Sequence, residues 1–365
     1  MIVLGIETSC DECAAAVVDN SVVLSNVVAT QIPFHSRWQG VVPEIASRMH
    51  TEWIYGVASE AITRAGLKVS DIEGVAATAH PGLLGSLLVG LHFAKAFAWA
   101  RGIPFIAVDH LLAHLYASRL VYKGGAVSGD AYPFLGLLVS GGHSVICRVD
   151  NFDDVAVLGA TVDDAVGEAF DKVAKHYSFG YPGGAVIDTL AQKGNSAAFK
   201  FPMPNLYKPG KVGNDHRYDF SYSGLKTAVV NQLEQFRVAR GGKVSEENEG
   251  ANLAASFQKT AIDILLRGLF RAVEDTGLTT IVAGGGVAAN SYLREQLAEY
   301  AQPGNGPKHG SRQSNSPLAV RFPPPELCGD NAAMVAGLGE RYLLRGDRSP
   351  LNTGASARVR AFKKQ

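Results

Sequence analysis

His110 and His114 lie four residues apart in Val108-Asp-His-Leu-Leu-Ala-His-Leu-Tyr116. On a helix that spacing stacks both imidazoles on one face, about one turn apart. Two neutral imidazoles so placed share a divalent cation if a third ligand arrives from elsewhere; without one they are ordinary half-buried histidines. A second set of reactive side chains, Thr8, Ser9, Asp11 and Glu12, falls in a short polar turn between apolar runs. Such a hairpin tip faces solvent or a ligand. Three glycine-bearing turns, His80–Ser86, Ser140–His143 and Gly284–Gly286, each follow a strand-like run. Glycines there let backbone N–H groups line a concavity, and a following helix adds its positive end, which together favour a phosphate or another anion. None of the three is a P-loop or a clean G-x-G-x-x-G.

The elements that must position these groups follow from the hydrophobic pattern. Ile2–Thr8, Ala14–Asp19 and Val22–Thr30 read as three successive strands, and a helix opens near Pro43-Glu44. Ile72–Thr78 and Ile103–Val108 are strands around a helix at Leu87–Arg101, and the second strand runs straight into the histidine stretch. Lys123–Ala131 is small and polar, a plausible linker. The opening then repeats. Phe134–Asp150 aligns without a gap on Val3–Asp19, with identity at five of seventeen positions. Two copies of one unit, each starting with a hairpin and turned to a shared cleft, are therefore expected. Thr161–Tyr177 is an amphipathic helix with Thr161 as its expected N-cap. Helices are further expected at Ala185–Lys193, Ala251–Asp275, Tyr292–Tyr300 and from about Ala332, with a strand at Thr279–Ala283. Residues 194–219 are loop-like and locally basic, with Lys200, Lys208, Lys211, His216 and Arg217. Residues 302–320 lack apolar periodicity and read as a disordered insertion.

The chain has 365 residues, 47% hydrophobic and 19% charged, enough for two domains with substantial cores. Lys+Arg and Asp+Glu both number 34, so bulk charge announces no nucleic-acid partner; any such surface is local or supplied by another protein. Cys10, Cys13, Cys147 and Cys328 are too few for a disulfide scaffold, and Cys10-x-x-Cys13 has no second pair to complete a zinc site. No apolar run approaches the roughly 18 residues of a spanning helix, and Glu7 arrives too early for a secretory signal. A cytoplasmic protein with no membrane association is expected.

Eight ordered motifs carry a resemblance to a known family. They are Ile6-Glu-Thr-Ser-Cys-Asp-Glu12, Gly40-Val-Val-Pro-Glu-Ile-Ala-Ser-Arg48, Pro81-Gly-Leu-Leu-Gly-Ser-Leu-Leu-Val-Gly90, Leu138-Val-Ser-Gly-Gly-His143, Gly167-Glu-Ala-Phe-Asp-Lys172, Tyr181-Pro-Gly-Gly184, Phe220-Ser-Tyr-Ser-Gly-Leu-Lys-Thr227 and Gly285-Gly-Val-Ala-Ala-Asn290. From residue 2 to about 340 the chain resembles the bacterial tRNA N6-adenosine threonylcarbamoyltransferases, the TsaD family. The resemblance implies an α/β, actin-like (sugar kinase and heat-shock ATPase) fold with two duplicated RNase H-like lobes around a central cleft. The first lobe would be 1–120 plus 330–347. The second would be 131–329, with a helical insertion at about 160–220, and 348–365 would be a loose basic tail.

It also implies transfer of a threonylcarbamoyl group from threonylcarbamoyl-AMP to N6 of the adenosine 3′ of the anticodon, in tRNAs reading ANN codons. His110, His114 and Asp330 match the family's metal ligands, with Fe(2+) expected and Zn(2+) the alternative. Leu138, Val139, Ser140, Gly141 and Gly142 match the loop over the phosphate and carbamoyl groups. Asp171, Gly184 and Asp188 match ribose and adenylate contacts, and Asn290 the adenine side. Implied partners are a catalytically inert TsaB-like paralogue and a small TsaE-like ATPase. The chain departs from the pattern at Asp109, Leu112-Ala113, Gly329 and Cys13, none of them a ligand. The changes beside the ligands bear on metal preference.

The donor is a mixed anhydride, already activated, and the adenine amine is a poor nucleophile, so orientation and a nearby proton acceptor matter most. Asp11, with Glu12 beside it, is the candidate; the turn's acids equally serve as structural caps. Two other readings remain: an actin-fold metabolite kinase or ATPase, which leaves the histidine pair unexplained, and a zinc protease, whose H-E-x-x-H would need Glu where Leu111 stands. A non-enzymatic scaffold subunit would not be expected to keep the histidines.

Overall fold

The computed structural model describes residues 1–38, 40–125, 132–207, 216–240, 249–302 and 318–359. The expected insertion at 302–320 and the basic residues Lys208 and Lys211 fall wholly or mainly outside them. The chain divides into two compact units: Met1–Ala131 with Asn151–Val155 and Phe322–Lys363, and Tyr132–Asp150 with Ala156–Arg321.

In the first unit, β1 (Val3–Glu7), β2 (Glu12–Asp19) and β3 (Val22–Thr30) form an antiparallel meander. It is followed by α1 (Ile32–His35), α2 (Pro43–Arg64), β4 (Gly74–His80), α3 (Leu84–Arg101), β5 (Phe105–Asp109), α4 (His110–Tyr116) and β6 (Val121–Tyr122). The sheet order is β5-β4-β1-β2-β3-β6, with β4 parallel to both β1 and β5. Every residue of β1 is buried, as expected of an unbroken apolar run at the centre of a sheet. Leu4, Ile6, Ala15 and Val17 share a core with Ile54, Ala58, Ala61 and Ile62 of α2 and Leu91, Ala94 and Ala98 of α3.

The second unit repeats the plan. Its elements are β7 (Phe134–Val139), β8 (Ser144–Asn151), β9 (Asp154–Ala160), α5 (Val166–Tyr177), α6 (Gly183–Ala191), α7 (Ser223–Arg240), α8 (Ala251–Thr276), β10 (Thr280–Gly284), α9 (Ser291–Tyr300) and β11 (Ala319–Arg321). The order β11-β10-β7-β8-β9 matches β5-β4-β1-β2-β3, and β10 is parallel to β7 as β4 is to β1. Even the hairpin registers agree: Val3 faces Val18, and Phe134 faces Val149. The duplication read from five identities is thus present in the strands themselves.

The last helix, α10 (Ala332–Arg345), returns to the first unit and packs on β1. Gly5 makes that approach possible, because a Cβ there would lie 2.4 Å from Ala332 O and 2.6 Å from Ala336 N.

Three expectations need correction. The helix expected from Thr161 starts at Val166. Thr161 instead bridges Phe220, and Asp163 accepts hydrogen bonds from Tyr222 N (2.8 Å) and Ser223 N (3.3 Å) at the start of α7. Strand β9 was not anticipated: most of it is only partly buried, so its pattern is faint. Residues 348–359 are not a loose tail. Ser349 N donates to Phe105 O and Ser349 Oγ accepts from Ala107 N, both at 2.9 Å, and Ser356 N donates to Ala79 O at 2.9 Å. The segment satisfies the backbone of β5 and its surroundings, so it is ordered by hydrogen bonds rather than by an apolar face. Arg360, Lys363 and Lys364 lie outside the described residues.

Candidate functional site

Strand β5 delivers the histidines. It ends on Asp109, whose Oδ1 accepts from Leu111 N (2.8 Å) and Leu112 N (3.1 Å), an N-cap that starts α4 at His110. One turn later comes His114, and all seven residues of α4 are buried. Asp330 arrives just before α10. The side chain of Asn331 accepts from Met334 N (3.0 Å) and donates to Leu327 O (3.1 Å) and Gly329 O (2.9 Å). That cap fixes the loop from which Asp330 projects.

The three groups converge. Nε2 of His110 and Nε2 of His114 are 3.2 Å apart, and Oδ1 of Asp330 is 3.1 Å from the latter and 3.5 Å from the former. Donors bound to one cation at about 2.0–2.1 Å stand about 2.8–3.0 Å apart when adjacent on an octahedron and about 3.3–3.4 Å apart on a tetrahedron. The edges of this triangle, 3.1, 3.2 and 3.5 Å, are close to the tetrahedral spacing. His114 is wholly buried and its Nδ1 has no hydrogen-bond partner among the described residues, whereas Asp330 keeps 22% exposure, so the cluster is reached from the carboxylate side. The residues therefore fit a metal ion.

Behind His110 stands Glu7, at the end of β1. Its Oε2 is 3.1 Å from His110 Nδ1 and accepts from Thr78 Oγ1 at 2.5 Å, while its Oε1 accepts from Ser9 N at 2.5 Å. Ser9 Oγ also lies 3.2 Å from His110 Nδ1. Burial would raise the Glu7 pKa, but the charge and hydrogen bond of His110 outweigh it and hold the carboxyl below its usual range. Burial likewise opposes charge on His110, yet Glu7 and Asp330 raise its pKa to about 9. His114 is lowered, by burial and by the charge of His110. One imidazolium and one imidazole then share the short Nε2–Nε2 contact. Glu7 belongs to the Ile6–Glu12 motif, and an acid that ends a fully buried strand is the sequence signal that marks it.

The hairpin residues divide. Thr8 is structural: its Oγ1 donates to Ser86 O (2.9 Å) and accepts from Gly90 N (3.2 Å). Asp11 is mostly buried in the turn, and the Glu12 carboxyl is pushed up to about 9 by burial, then by the charges of Asp330 and Asp11. Glu12 is thus an electrostatic neighbour of both Asp11 and the third ligand. A cation held on Asp330 would relax that shift. At Leu111, buried to 1% exposure, the structure offers no carboxylate where a zinc protease places its base.

In the second unit, the side chains of Leu138 and Val139 are core, with their backbones paired to β8. Only their main-chain atoms are left to meet a ligand. Ser140 N donates to His143 O (2.8 Å) and His143 N to Ser140 Oγ (3.1 Å), closing a turn whose Gly141 and Gly142 border open space. Gly285, at φ +92°, would place a Cβ 2.4 Å from Val139 O, which excludes any side chain. Asp171 Oδ1 accepts from Gly183 N (2.8 Å) and so ties α5 to the start of α6, beside the open Gly184. Asp188 accepts from Ser291 Oγ (2.6 Å) and from Asn290 Nδ2 (3.3 Å), while Asn290 Oδ1 caps α9 through Leu293 N (3.0 Å). Asp188 and Asn290 are thus neighbours, and already engaged with each other.

A family model described as TsaD, tRNA N6-adenosine threonylcarbamoyltransferase, matches residues 22–337. A protein of that name from Treponema denticola is 58% identical over 366 aligned positions, covering 100% of this chain and 99% of its own length. Its namesake from Treponema pallidum is 53% identical, covering 100% and 95%. Among solved structures, component A of (R)-2-hydroxyglutaryl-CoA dehydratase from Acidaminococcus fermentans aligns with TM-score 0.50 at 13% identity, over 94% of this chain and 99% of that one. Full-length HypF aligns with TM-score 0.55 at 13% identity, over 93% and 45%. These two likenesses concern the fold, which is the actin-like one.

Proposed function

Because the chain belongs to the TsaD family and is a tRNA N6-adenosine threonylcarbamoyltransferase, we propose that it takes the threonylcarbamoyl group from threonylcarbamoyl-AMP. The acceptor is N6 of the adenosine 3′ of the anticodon in tRNAs reading ANN codons. The observation that carries the metal-assisted form of this reading is the 3.1–3.5 Å triangle of His110, His114 and Asp330.

Two imidazoles and one carboxylate with further positions open suit Fe(2+), with Zn(2+) the alternative. Held by His110, His114 and Asp330, such an ion would supply positive charge to stabilise negative charge on phosphate or carbamoyl oxygens. Glu7 and Ser9 hold the His110 ring so that its Nε2 faces the ligand cluster. Asp11, with Glu12 beside it, positions the adenine amine and accepts its proton as N6 bonds to the carbamoyl carbon and AMP departs. The adenylate end of the donor is assigned to the second unit. Leu138, Val139, Ser140, Gly141 and Gly142 offer backbone N–H groups to its phosphate, and Asp171, Gly184, Asp188 and Asn290 hold its ribose and base.

No helix among the described residues is long and apolar enough to cross a membrane, and the proposed setting is the cytoplasm. A catalytically inert TsaB-like paralogue and a small TsaE-like ATPase are the proposed partners, supplying tRNA-binding surface that a net charge of +0 does not advertise.

The test combines iron-loaded or zinc-loaded protein, both helper proteins, threonylcarbamoyl-AMP and an ANN-reading tRNA, with nucleoside analysis of the product. Modified adenosine should form, and His114→Ala and Asp330→Ala should abolish it. No product from the loaded wild-type chain, or full product from both variants, refutes the reading.

A further inference from the structure

Three consecutive backbone carbonyls in the β1–β2 turn are each held by a different part of the first unit. Ser9 O accepts from Leu83 N at 2.8 Å, and Asp11 O accepts from Gln31 N at 3.0 Å. Between them, Cys10 O lies 2.9 Å from Nε2 of His50, in α2. The outer two bonds are backbone to backbone and survive side-chain substitution. The middle one depends on a single imidazole, wholly buried, about two turns into α2.

A carbonyl only accepts, so Nε2 of His50 carries the proton and Nδ1 of the neutral ring is an acceptor. The Gln31 amide meets that Nδ1 at 3.4 Å and Ala46 O at 3.3 Å, which orients its NH2 toward both. Its Oε1 accepts from His35 Nε2 at 3.2 Å, and His35 Nδ1 accepts from Val42 N at 3.3 Å. With both rings neutral and protonated on Nε2, every donor in this relay meets an acceptor. Gln31, His35 and His50 all have zero exposure, where an unmatched polar group is costly. Burial also lowers the pKa of His50, in keeping with a neutral ring.

We propose that His50 is a positioning residue for threonylcarbamoyl transfer: its bond to Cys10 O holds the turn that aims Asp11 and Glu12, and the relay from Val42 through His35 and Gln31 holds His50. The motif Gly40-Val-Val-Pro-Glu, remote in sequence from the histidine cluster, thereby acquires a part in the site. This rests on the proposed role of Asp11 and Glu12.

Reach provides the test. In His50→Gln the amide extends to the Nε2 position and still donates to Cys10 O. In His50→Asn it reaches only the Nδ1 position, keeping the Gln31 contact and losing Cys10 O. His50→Phe keeps the volume and loses both. In the full, metal-loaded chain with its helpers, His50→Asn and His50→Phe should lower kcat by about tenfold to a hundredfold, the usual cost of a misplaced catalytic group. KM for tRNA and metal content should stay at wild-type values, and His50→Gln should recover most of the loss. Deuterium uptake over residues 8–13 should rise in His50→Asn and not in His50→Gln. Should His50→Phe fail to fold, the Asn and Gln pair decides. Equal kcat for those two, or unchanged uptake in His50→Asn, overturns the proposal. An inactive wild type refutes the transfer reading instead, and the uptake comparison then judges the brace by itself.

Discussion

The Glu7 carboxylate, with zero exposure, lies 3.1 Å from Nδ1 of His110 across 103 residues of sequence. A buried acid behind a ligating imidazole fixes which nitrogen carries the proton, and it strengthens the other nitrogen as a donor. It also closes the chain of contacts from β1 to the end of β5.

Glu7→Gln should therefore weaken metal binding while leaving all three ligands in place. The expected loss is about tenfold to a hundredfold in affinity, the usual range when a partner behind a ligand is removed. Titration of metal-free protein with Fe(2+) or Zn(2+) measures it, and circular dichroism shows that the variant is folded. Wild-type affinity in a folded Glu7→Gln would remove Glu7 from the site.

The raised pKa of His110, about 9, makes a second expectation. Below that value the metal-free protein carries a proton on the imidazole pair, and a metal ion must displace it. About one proton from the imidazole pair, and up to one more from Glu12 as the ion relaxes its raised pKa, should be released per ion bound in neutral buffer, and affinity should rise at least about tenfold per pH unit until the pH reaches those values. Calorimetry in two buffers of different ionisation enthalpy reports the proton count. A heat independent of buffer would contradict the assignment.

Strands were legible because burial imposes a pattern on them. The meander β1–β3 and its copy at β7–β8 are apolar runs between polar turns, and their identical register left five matching residues. The histidine pair was legible because helical spacing is local. Asp330 was not: it meets His114 across 216 residues, and only likeness to a family pointed to it. No period links this relay to Cys10 either: Gln31 and His35 are four residues apart, but the bonds from Gln31 to His50 and from His50 to Cys10 depend on tertiary placement. The segment 348–359 was misread for a related reason, because hydrogen bonds from Ser349 and Ser356 to backbone groups leave no mark in an apolar pattern.

The loop before α5 should govern acid stability in the second unit. Asp163 is partly desolvated, which raises its pKa, but hydrogen bonds from Ser221, Tyr222 and Ser223 lower it overall. A carboxylate with a depressed native pKa stabilises the fold above its unfolded value, about 3.9, and that contribution disappears as pH falls through the native value. Asp163→Asn keeps an acceptor and removes the charge, so it should cost about 0.3–1 kcal/mol at neutral pH, the usual contribution of a carboxylate at a helix N-terminus. The gap between wild type and variant should close below about pH 4. Thermal unfolding at a series of pH values tests this, and a gap that persists in acid would show that charge is not what Asp163 contributes.

Gly5 sets the spacing between the strand that carries Glu7 and the helix that follows Asp330. A methyl group there would meet Ala332 O at 2.4 Å, Ala336 N at 2.6 Å and Ala336 Cβ at 2.7 Å. The first two are backbone atoms, so no rotamer change relieves the clash and α10 itself must shift. Overpacking of this kind costs about 1–3 kcal/mol, which lowers Tm by roughly 2–4 °C for each kcal/mol in a unit of this size. Because Asp330 lies two residues before α10, the same shift should move its carboxylate off the histidine pair. Gly5→Ala is thus expected to lose metal affinity as well as stability, although Gly5 touches no ligand. Asp330→Asn, by contrast, should weaken metal binding with little change in Tm. If Gly5→Ala melted early but bound metal normally, the position of α10 would be irrelevant to the ligand triangle, and β1 and α10 would serve the core alone.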